Sequence, residues 1–333
     1  MSEDDLDAAA APPPVVDDDP EPYAFYEDEE EAREARRGRG VRKRPVLAAE
    51  LAEPEDPTRS FQTTYQPSRH EAGWLLESLR GFYELNLITD VLAQVKGGKE
   101  ANVYRCRAHP AVGVPWLAAK VYRPRAFRNL RNDKMYREGR AILTADGRPV
   151  KNSDQRVMRA VGKKTAFGAQ VAHTSWLMHE YTTLERLHRE GVSVPQPFGA
   201  GENALLMAYQ GDAVRAAPTL SEVQLEPKEA DTLFRDVLRD VTRMLAGGMI
   251  HGDLSAYNIL YWDGAVMLID FPQVTDSRGN PNARRIFERD VARVCEYFAR
   301  QGGACDPAAL AADLWERYVG EDDPWLALTE EAW

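Results

Sequence analysis

His251-Gly-Asp-Leu-Ser-Ala-Tyr-Asn258 is followed, twelve residues past its Asn, by the end of Leu268-Ile-Asp270. Three oxygen-bearing side chains are thereby spaced for one loop and one hairpin to bring together. Asp253 and Asn258 lie five apart, within the reach of a single tight loop. The apolar runs at 259–261 and 266–269 flank Trp262-Asp263-Gly264, whose turn chemistry predicts a short hairpin carrying Asp270 back to that loop.

Two carboxylates and an amide in this arrangement suit phosphoryl transfer. One Asp takes or orients the proton of the attacking hydroxyl, while an Asn and a second Asp hold Mg²⁺ (or Mn²⁺), hard cations that prefer oxygen ligands. Asp253 and Asp270 are the candidate catalytic residues, and Asn258 and Asp270 the candidate metal ligands. His251 reads as packing beneath the loop.

Upstream, Val95-Lys-Gly-Gly-Lys-Glu-Ala-Asn-Val-Tyr104 joins two β-rich runs through paired glycines. The missing Cβ atoms of Gly97 and Gly98 let backbone N–H groups, with Lys99 beside them, approach phosphate oxygens. By itself this is also the sequence of an ordinary hairpin turn. The next strand, Trp116-Leu-Ala-Ala-Lys120-Val-Tyr122, sets a Lys in an apolar run, where the ammonium needs a partner or a phosphate. Glu180 is the expected partner. Residues 171–190 have helical periodicity, and Glu180 falls on the apolar stripe of Trp176, Leu184 and Leu187.

These segments, with Asn280-Pro-Asn-Ala283 leading into Arg289-Asp290, resemble the RIO family of atypical serine/threonine kinases, nearest its first subfamily, over residues 75–305. The resemblance implies an α+β, two-lobed protein-kinase-like fold of compact type, without activation loop or peptide-docking helices. It also implies ATP as substrate, autophosphorylation, and Asp270 as a metal ligand that can itself become an aspartyl-phosphate, so that the output is either a kinase or an ATPase switch. Adenine would lie against the hinge Leu206-Met-Ala-Tyr209, walled by Met207 and Tyr209. The chain departs from the family in two places: Asp270-Phe-Pro-Gln273 replaces the usual Asp-Val-Ser-Gln, and Ala208 replaces an acidic hinge residue, which leaves the backbone donor and acceptor there available. Pro272 argues against a segment that flips. Two other readings share part of the pattern: a small-molecule phosphotransferase of the aminoglycoside or choline type, and a non-catalytic pseudokinase. The Gly98–Tyr104 motif speaks against the first, and the full set Lys120, Glu180, Asp253, Asn258 and Asp270 against the second.

Composition sets apart a tail at 1–58 of the 333 residues, and the resemblance implies an N-lobe at 59–206 and a C-lobe at 207–333. The net charge of −11 belongs to the tail. Residues 1–32 hold thirteen Asp or Glu and no Lys or Arg, so the remainder sums to −11 + 13 = +2. Such a segment cannot bury a core and is expected to be disordered. Seven Lys or Arg at Arg33–Arg44 pair with that acidic run, stay solvated, or contact RNA through its phosphates; the family resemblance implies a ribosomal subunit as the RNA partner. Three cysteines, Cys106, Cys295 and Cys305, have no metal spacing and cannot make an even disulfide framework. A reducing cytoplasm fits them, and no apolar run or leader suggests a membrane.

The polar insert at 123–168 is expected to be a mobile flap, with a basic stripe at Arg125, Arg128, Arg131, Lys134, Arg137 and Arg140 and with Ser153 and Thr165 as autophosphorylation candidates. A core helix at 227–245, stopped by Gly247-Gly248, and another at 283–298 should underlie the catalytic loop, with Asp290 bracing it. Trp315, Trp325 and Trp333 read as packing or partner contacts.

Overall fold

A computed structural model of the protein describes residues 63–123, 140–151, 153–163 and 165–320. The tail with its basic block Arg33–Arg44, the stripe from Arg125 to Arg137, and Trp325 and Trp333 lie outside the described residues.

Ser68 opens helix α1 (Arg69–Glu84) with a capping box, exchanging bonds with Glu71 three residues on. Next come β1 (Ile88–Gly97), β2 (Ala101–Ala108) and β3 (Trp116–Tyr122), then helices α2 (Gln155–Gly162) and α3 (Ala166–Arg189), then β4 (Pro197–Ala200) and β5 (Ala204–Ala208). The strands form one five-stranded sheet in the order β1-β2-β3-β5-β4, antiparallel at each pairing.

Register decides which side chains share a face. Val103 lies opposite Lys120 and Lys120 opposite Leu205, while Arg105, Ala118 and Met207 align two residues along. Side chains alternate along a strand, so this face carries Lys120 and the other carries Tyr104, Cys106, Leu117, Ala119, Val121 and Leu206. The second face is closed by Leu75, Leu79 and Phe82 of α1. On the first face Tyr122 and Leu205 pack with Trp176, Leu177 and Met178 of α3, which brings Glu180 beneath the sheet.

The second core lies under the loop at 251–258. It is built by α4 (Pro227–Ala246), α5 (Ala283–Arg300), α6 (Pro307–Tyr318) and the strand pairs β6 (Met249–Ile250) with β9 (Thr275–Asp276) and β7 (Ile259–Trp262) with β8 (Ala265–Leu268). The β7–β8 turn is Asp263-Gly264, both at positive φ (49° and 74°), as the tightest hairpins require. Pro227 begins α4 and Gly247 caps it, as the sequence predicts. Trp315 packs on Phe287, with ring centroids 5.9 Å apart.

Within its described part the insert carries regular structure: Leu143 bridges Pro149, α2 occupies 155–162, and α3 begins before residue 168. The Thr165 hydroxyl caps α3 by accepting from the Gly168 N–H at 3.1 Å. The odd cysteine count does not prevent one pair: Cys295 in α5 and Cys305 before α6 are disulfide-bonded across ten residues, and Cys106 stays free and buried. Half the thiol argument for a reducing compartment falls with that bond. Among the described residues no helix is long and apolar enough to cross a membrane.

Asp240, on α4, is fully buried, with Arg243 and Arg239 no nearer than 3.7 and 4.0 Å. Burial pushes its carboxyl up. Ser193 and the two arginines oppose the shift, although no hydrogen bond of good geometry reaches either carboxylate oxygen. A carboxyl raised on folding costs stability once both states ionise and recovers it as pH falls below the unfolded value. Asp240→Asn is therefore expected to raise Tm at pH 7, with the gain shrinking toward pH 4; thermal unfolding at the two pH values measures it.

Candidate active site

Lys120 stands at the centre of the cleft face. Its Nζ lies 2.6 Å from Glu180 Oε1 and 2.6 Å from Asp270 Oδ1. Glu180 is 3 % exposed and also accepts from the Tyr122 hydroxyl, so its position is fixed by two donors on one strand. Burial works to lower the Lys120 ammonium, but the two carboxylates outweigh it and hold its pKa well above the ordinary value. Burial works likewise to raise Asp270, and the adjacent Lys120 ammonium overcomes it, keeping the carboxyl below the usual carboxylate range. Both groups are charged at neutral pH. Asp270 has a positive φ of 73°, uncommon for a residue with a side chain, and its side chain is 43 % exposed to the cleft.

The loop at 251–258, the candidate catalytic loop, is held from below. His251 is buried, with Nε2 3.1 Å from the Ile269 carbonyl and Nδ1 accepting from the Asp253 N–H at 3.3 Å. That assigns the Nε2–H tautomer and matches the packing role read from the sequence. Gly252 has φ 85°, and a Cβ there would stand 2.2 Å from the Gln273 carbonyl, so only glycine fits. The Gly252 N–H donates to Asp290 Oδ2 at 2.7 Å and the Gly252 carbonyl accepts from Arg289. Asp290 thus braces the loop as the sequence predicts.

Asn258 donates Nδ2 to the Asp253 carbonyl at 2.8 Å, which leaves Oδ1 as its acceptor atom. Among the described residues no group of three His, Cys, Asp or Glu could hold a metal ion. One amide oxygen with one carboxylate remains. Such a donor set suits Mg²⁺, which keeps waters and takes its other ligands from substrate phosphates. Asp253 is half exposed, and Arg293 donates to its Oδ1 at 2.9 Å. Sequence reasoning missed Arg293. Its place three residues past Asp290 on a helix was the available signal, since that spacing shares a face.

The glycine loop and hinge depart from expectation in detail. Gly98 needs to be glycine, since a Cβ would meet the Ala101 carbonyl oxygen at 2.7 Å. Its N–H, however, donates to Asn102 Oδ1 at 3.3 Å, so the loop uses it internally and does not offer it to a phosphate. Gly97 ends β1, and Lys99 follows in the turn. At the hinge the Ala208 N–H donates to the Gln196 carbonyl at 2.8 Å and is not available to a base. Met207 faces the cleft beside Ala118. The Tyr209 ring meets Trp116 edge-on at 6.3 Å and lies under the Arg105 guanidinium at 5.8 Å, outside the position of a simple apolar wall.

A RIO domain model matches residues 120–310, more than half of the chain. The RIO-type serine/threonine-protein kinase Rio1 of Haloferax volcanii is 33% identical over 219 residues, 65% of this chain and 66% of that protein. The serine/threonine-protein kinase RIO1 of Chaetomium thermophilum is 29% identical over 228 residues, 65% of this chain and 41% of the relative. The chain therefore spans under two thirds of the length of these relatives. Among solved structures, the Rio2 kinase of Chaetomium thermophilum in an ADP/Mg²⁺-phosphoaspartate complex superposes with a TM-score of 0.51 at 21% identity, covering 75% of this chain and 68% of that one. The likeness establishes a kinase-like fold. With the domain model running through the Lys120 strand, the catalytic loop and α5, the chain belongs to the RIO family.

Proposed function

We propose that this protein is an ATP-dependent phosphotransferase of the RIO serine/threonine kinase type. The observation that carries the reading is Lys120 at 2.6 Å from both Glu180 and Asp270, a cation fixed between a buried anchor and a carboxylate open to the cleft. In this reading Lys120 contacts ATP phosphates, and Asn258 with Asp270 would hold a divalent metal. When bound, that metal neutralises charge on the transferring phosphoryl.

Asp253 orients the acceptor hydroxyl and takes its proton as the oxygen–phosphorus bond forms and the bond to the ADP oxygen breaks. Arg293 and Asn258 keep the carboxylate turned toward the cleft. Met207 and Ala118, with Val103 on the same sheet face, present apolar surface to the adenine.

The 43 % exposure of Asp270 favours a second reading, in which its carboxylate is itself the phosphoryl acceptor and hydrolysis returns it with release of phosphate. The Rio2 structure named above holds a phosphoaspartate, which supports that route here. The test is mass spectrometry of the intact full-length chain after incubation with Mg-ATP. Acid-labile label on a carboxylate supports the acyl-phosphate route, and acid-stable label on Ser or Thr supports protein kinase output. No label and no ATP consumption would refute both. An RNA or ribosomal partner reached through Arg33–Arg44, and a cytoplasmic location, belong to the same proposal.

A further inference from the structure

A chain of side chains runs from the first turn of α1 to the glycine loop. Glu71 accepts from the Tyr104 hydroxyl through Oε1, and through Oε2 from the Tyr65 hydroxyl at 3.1 Å and the Ser68 N–H at 3.3 Å. The Tyr104 oxygen in turn accepts from Asn102 Nδ2 at 3.0 Å. Asn102 Oδ1 then accepts from the Gly98 N–H at 3.3 Å and from Arg123 Nη2 at 3.2 Å. Both Asn102 and Tyr104 are buried. The sheet alternation puts them on the α1 face, away from Lys120, so neither can touch a nucleotide in the cleft.

This geometry has a direction. Asn102 has one carbonyl and one amide, and its orientation is fixed because the Tyr104 oxygen, with its proton committed to Glu71, can only accept. The Asn102 carbonyl must then point at Gly98. Burial, and then the hydrogen bond to Glu71, push the Tyr104 hydroxyl well above its ordinary pKa, so the proton stays in place. The Tyr65 ring packs on Tyr104 at 5.6 Å, and the segment carrying it is fastened to β1: Tyr65 N donates to the Val91 carbonyl at 2.8 Å, and Thr64 donates to Asp90 through its N–H at 2.7 Å and its hydroxyl at 2.6 Å.

We propose that Glu71, Tyr104 and Asn102 form a latch by which α1 holds the glycine loop in its phosphate-ready shape. Glu71 and Tyr104 are positioning residues: they act through Asn102 on Gly98 and leave the adenine pocket alone. The latch shapes the part of the cleft that meets phosphates, so breaking it weakens ATP and ADP and spares adenosine. The inference rests on the ATP-binding reading, but its first readout does not.

Three full-length variants separate the latch from helix capping, because Glu71 also closes the capping box of α1. Tyr104→Phe breaks the latch and keeps the cap, Glu71→Ala breaks both, and Glu71→Gln keeps its one oxygen for Tyr104 while its amide nitrogen, a donor, can no longer accept from the Ser68 N–H. Hydrogen exchange without nucleotide is expected to accelerate at Gly98 and its neighbours in Tyr104→Phe and Glu71→Ala, and to stay near wild type in Glu71→Gln. Calorimetry with Mg-ATP, Mg-ADP and adenosine is expected to give about tenfold weaker binding of the two nucleotides in the first two variants, as for loss of a charge-assisted hydrogen bond, with adenosine unchanged. Unchanged exchange at Gly98 in Tyr104→Phe would overturn the latch, as would equal losses for adenosine and ATP, or losses confined to Glu71→Ala. Accelerated exchange at Gly98 in Tyr104→Phe, with a wild-type protein that binds neither Mg-ATP nor Mg-ADP, would instead refute the ATP reading while leaving the loop contact intact.

Discussion

Asp253→Asn is expected to lower kcat by about 10²–10⁴-fold, the usual worth of a positioned general base, while Mg-ATP affinity stays close to wild type. Asp253 lies five residues from Asn258 in sequence, and its own carboxylate is engaged by Arg293, not by Lys120 or Asp270. Asn keeps the size and one acceptor, so Arg293 retains a partner and the loop beneath, held by His251 and Asp290, is not disturbed. Turnover is measured under saturating Mg-ATP and affinity by calorimetry. Wild-type turnover in this variant would remove Asp253 from the chemistry, and equal falls in kcat and ATP affinity would make it a nucleotide contact instead.

Lys120→Met is expected to produce the largest combined effect. Nucleotide binding should be lost with the phosphate contact. Stability should fall by about 3–5 kcal/mol, because removing one partner of a buried pair strands the other. Glu180, 3 % exposed, would keep only the Tyr122 hydroxyl as donor. Lys120→Met/Glu180→Gln removes the stranded charge and preserves an acceptor for Tyr122, so it should recover most of the stability without recovering ATP binding. Denaturant unfolding and calorimetry on the same samples read the two effects apart, and a Lys120→Met protein of wild-type stability would contradict the burial argument. The pH dependence follows from the signs of the two shifts. The lowered Asp270 carboxyl contributes stability that is complete above about pH 4 and is lost as pH falls through its folded value. The raised Lys120 ammonium contributes stability that is complete below about pH 10 and is lost as pH rises through its folded value.

The parts of the fold visible in the sequence were those governed by short-range rules. Periodicity located α4 and α5, Asp263-Gly264 located the β7–β8 turn, and an apolar strand with one Lys announced an ion pair whose partner had to sit on a core-facing helical stripe. Local chemistry was less informative where a backbone group had two uses. The N–H groups of Gly98 and Ala208 read as open to a ligand, but Asn102, four residues on, and Gln196, on the neighbouring strand's approach, claim them. The Arg293–Asp253 and Glu71–Tyr104 contacts join residues 40 and 33 positions apart, a range at which composition reports no pairing; the spacing of Arg293 from Asp290 marks a shared helix face but not the partner. The disulfide was missed for a different reason: counting cysteines tests whether all can pair, not whether two of them do.

Lys120 meets Glu180 across 60 residues of chain and Asp270 across 150. The entropy of closing such loops must be met before either contact forms, so long-range pairs of this kind are made late in folding. A chain emerging from synthesis with the five-stranded sheet complete has the ammonium and Glu180 in place, but not Asp270, which lies about sixty residues further on. On the proposed reading, full nucleotide affinity is therefore reached only once the last of these contacts has formed. A truncated or arrested chain ending before Asp270 should be blind to ATP however well ordered its sheet is.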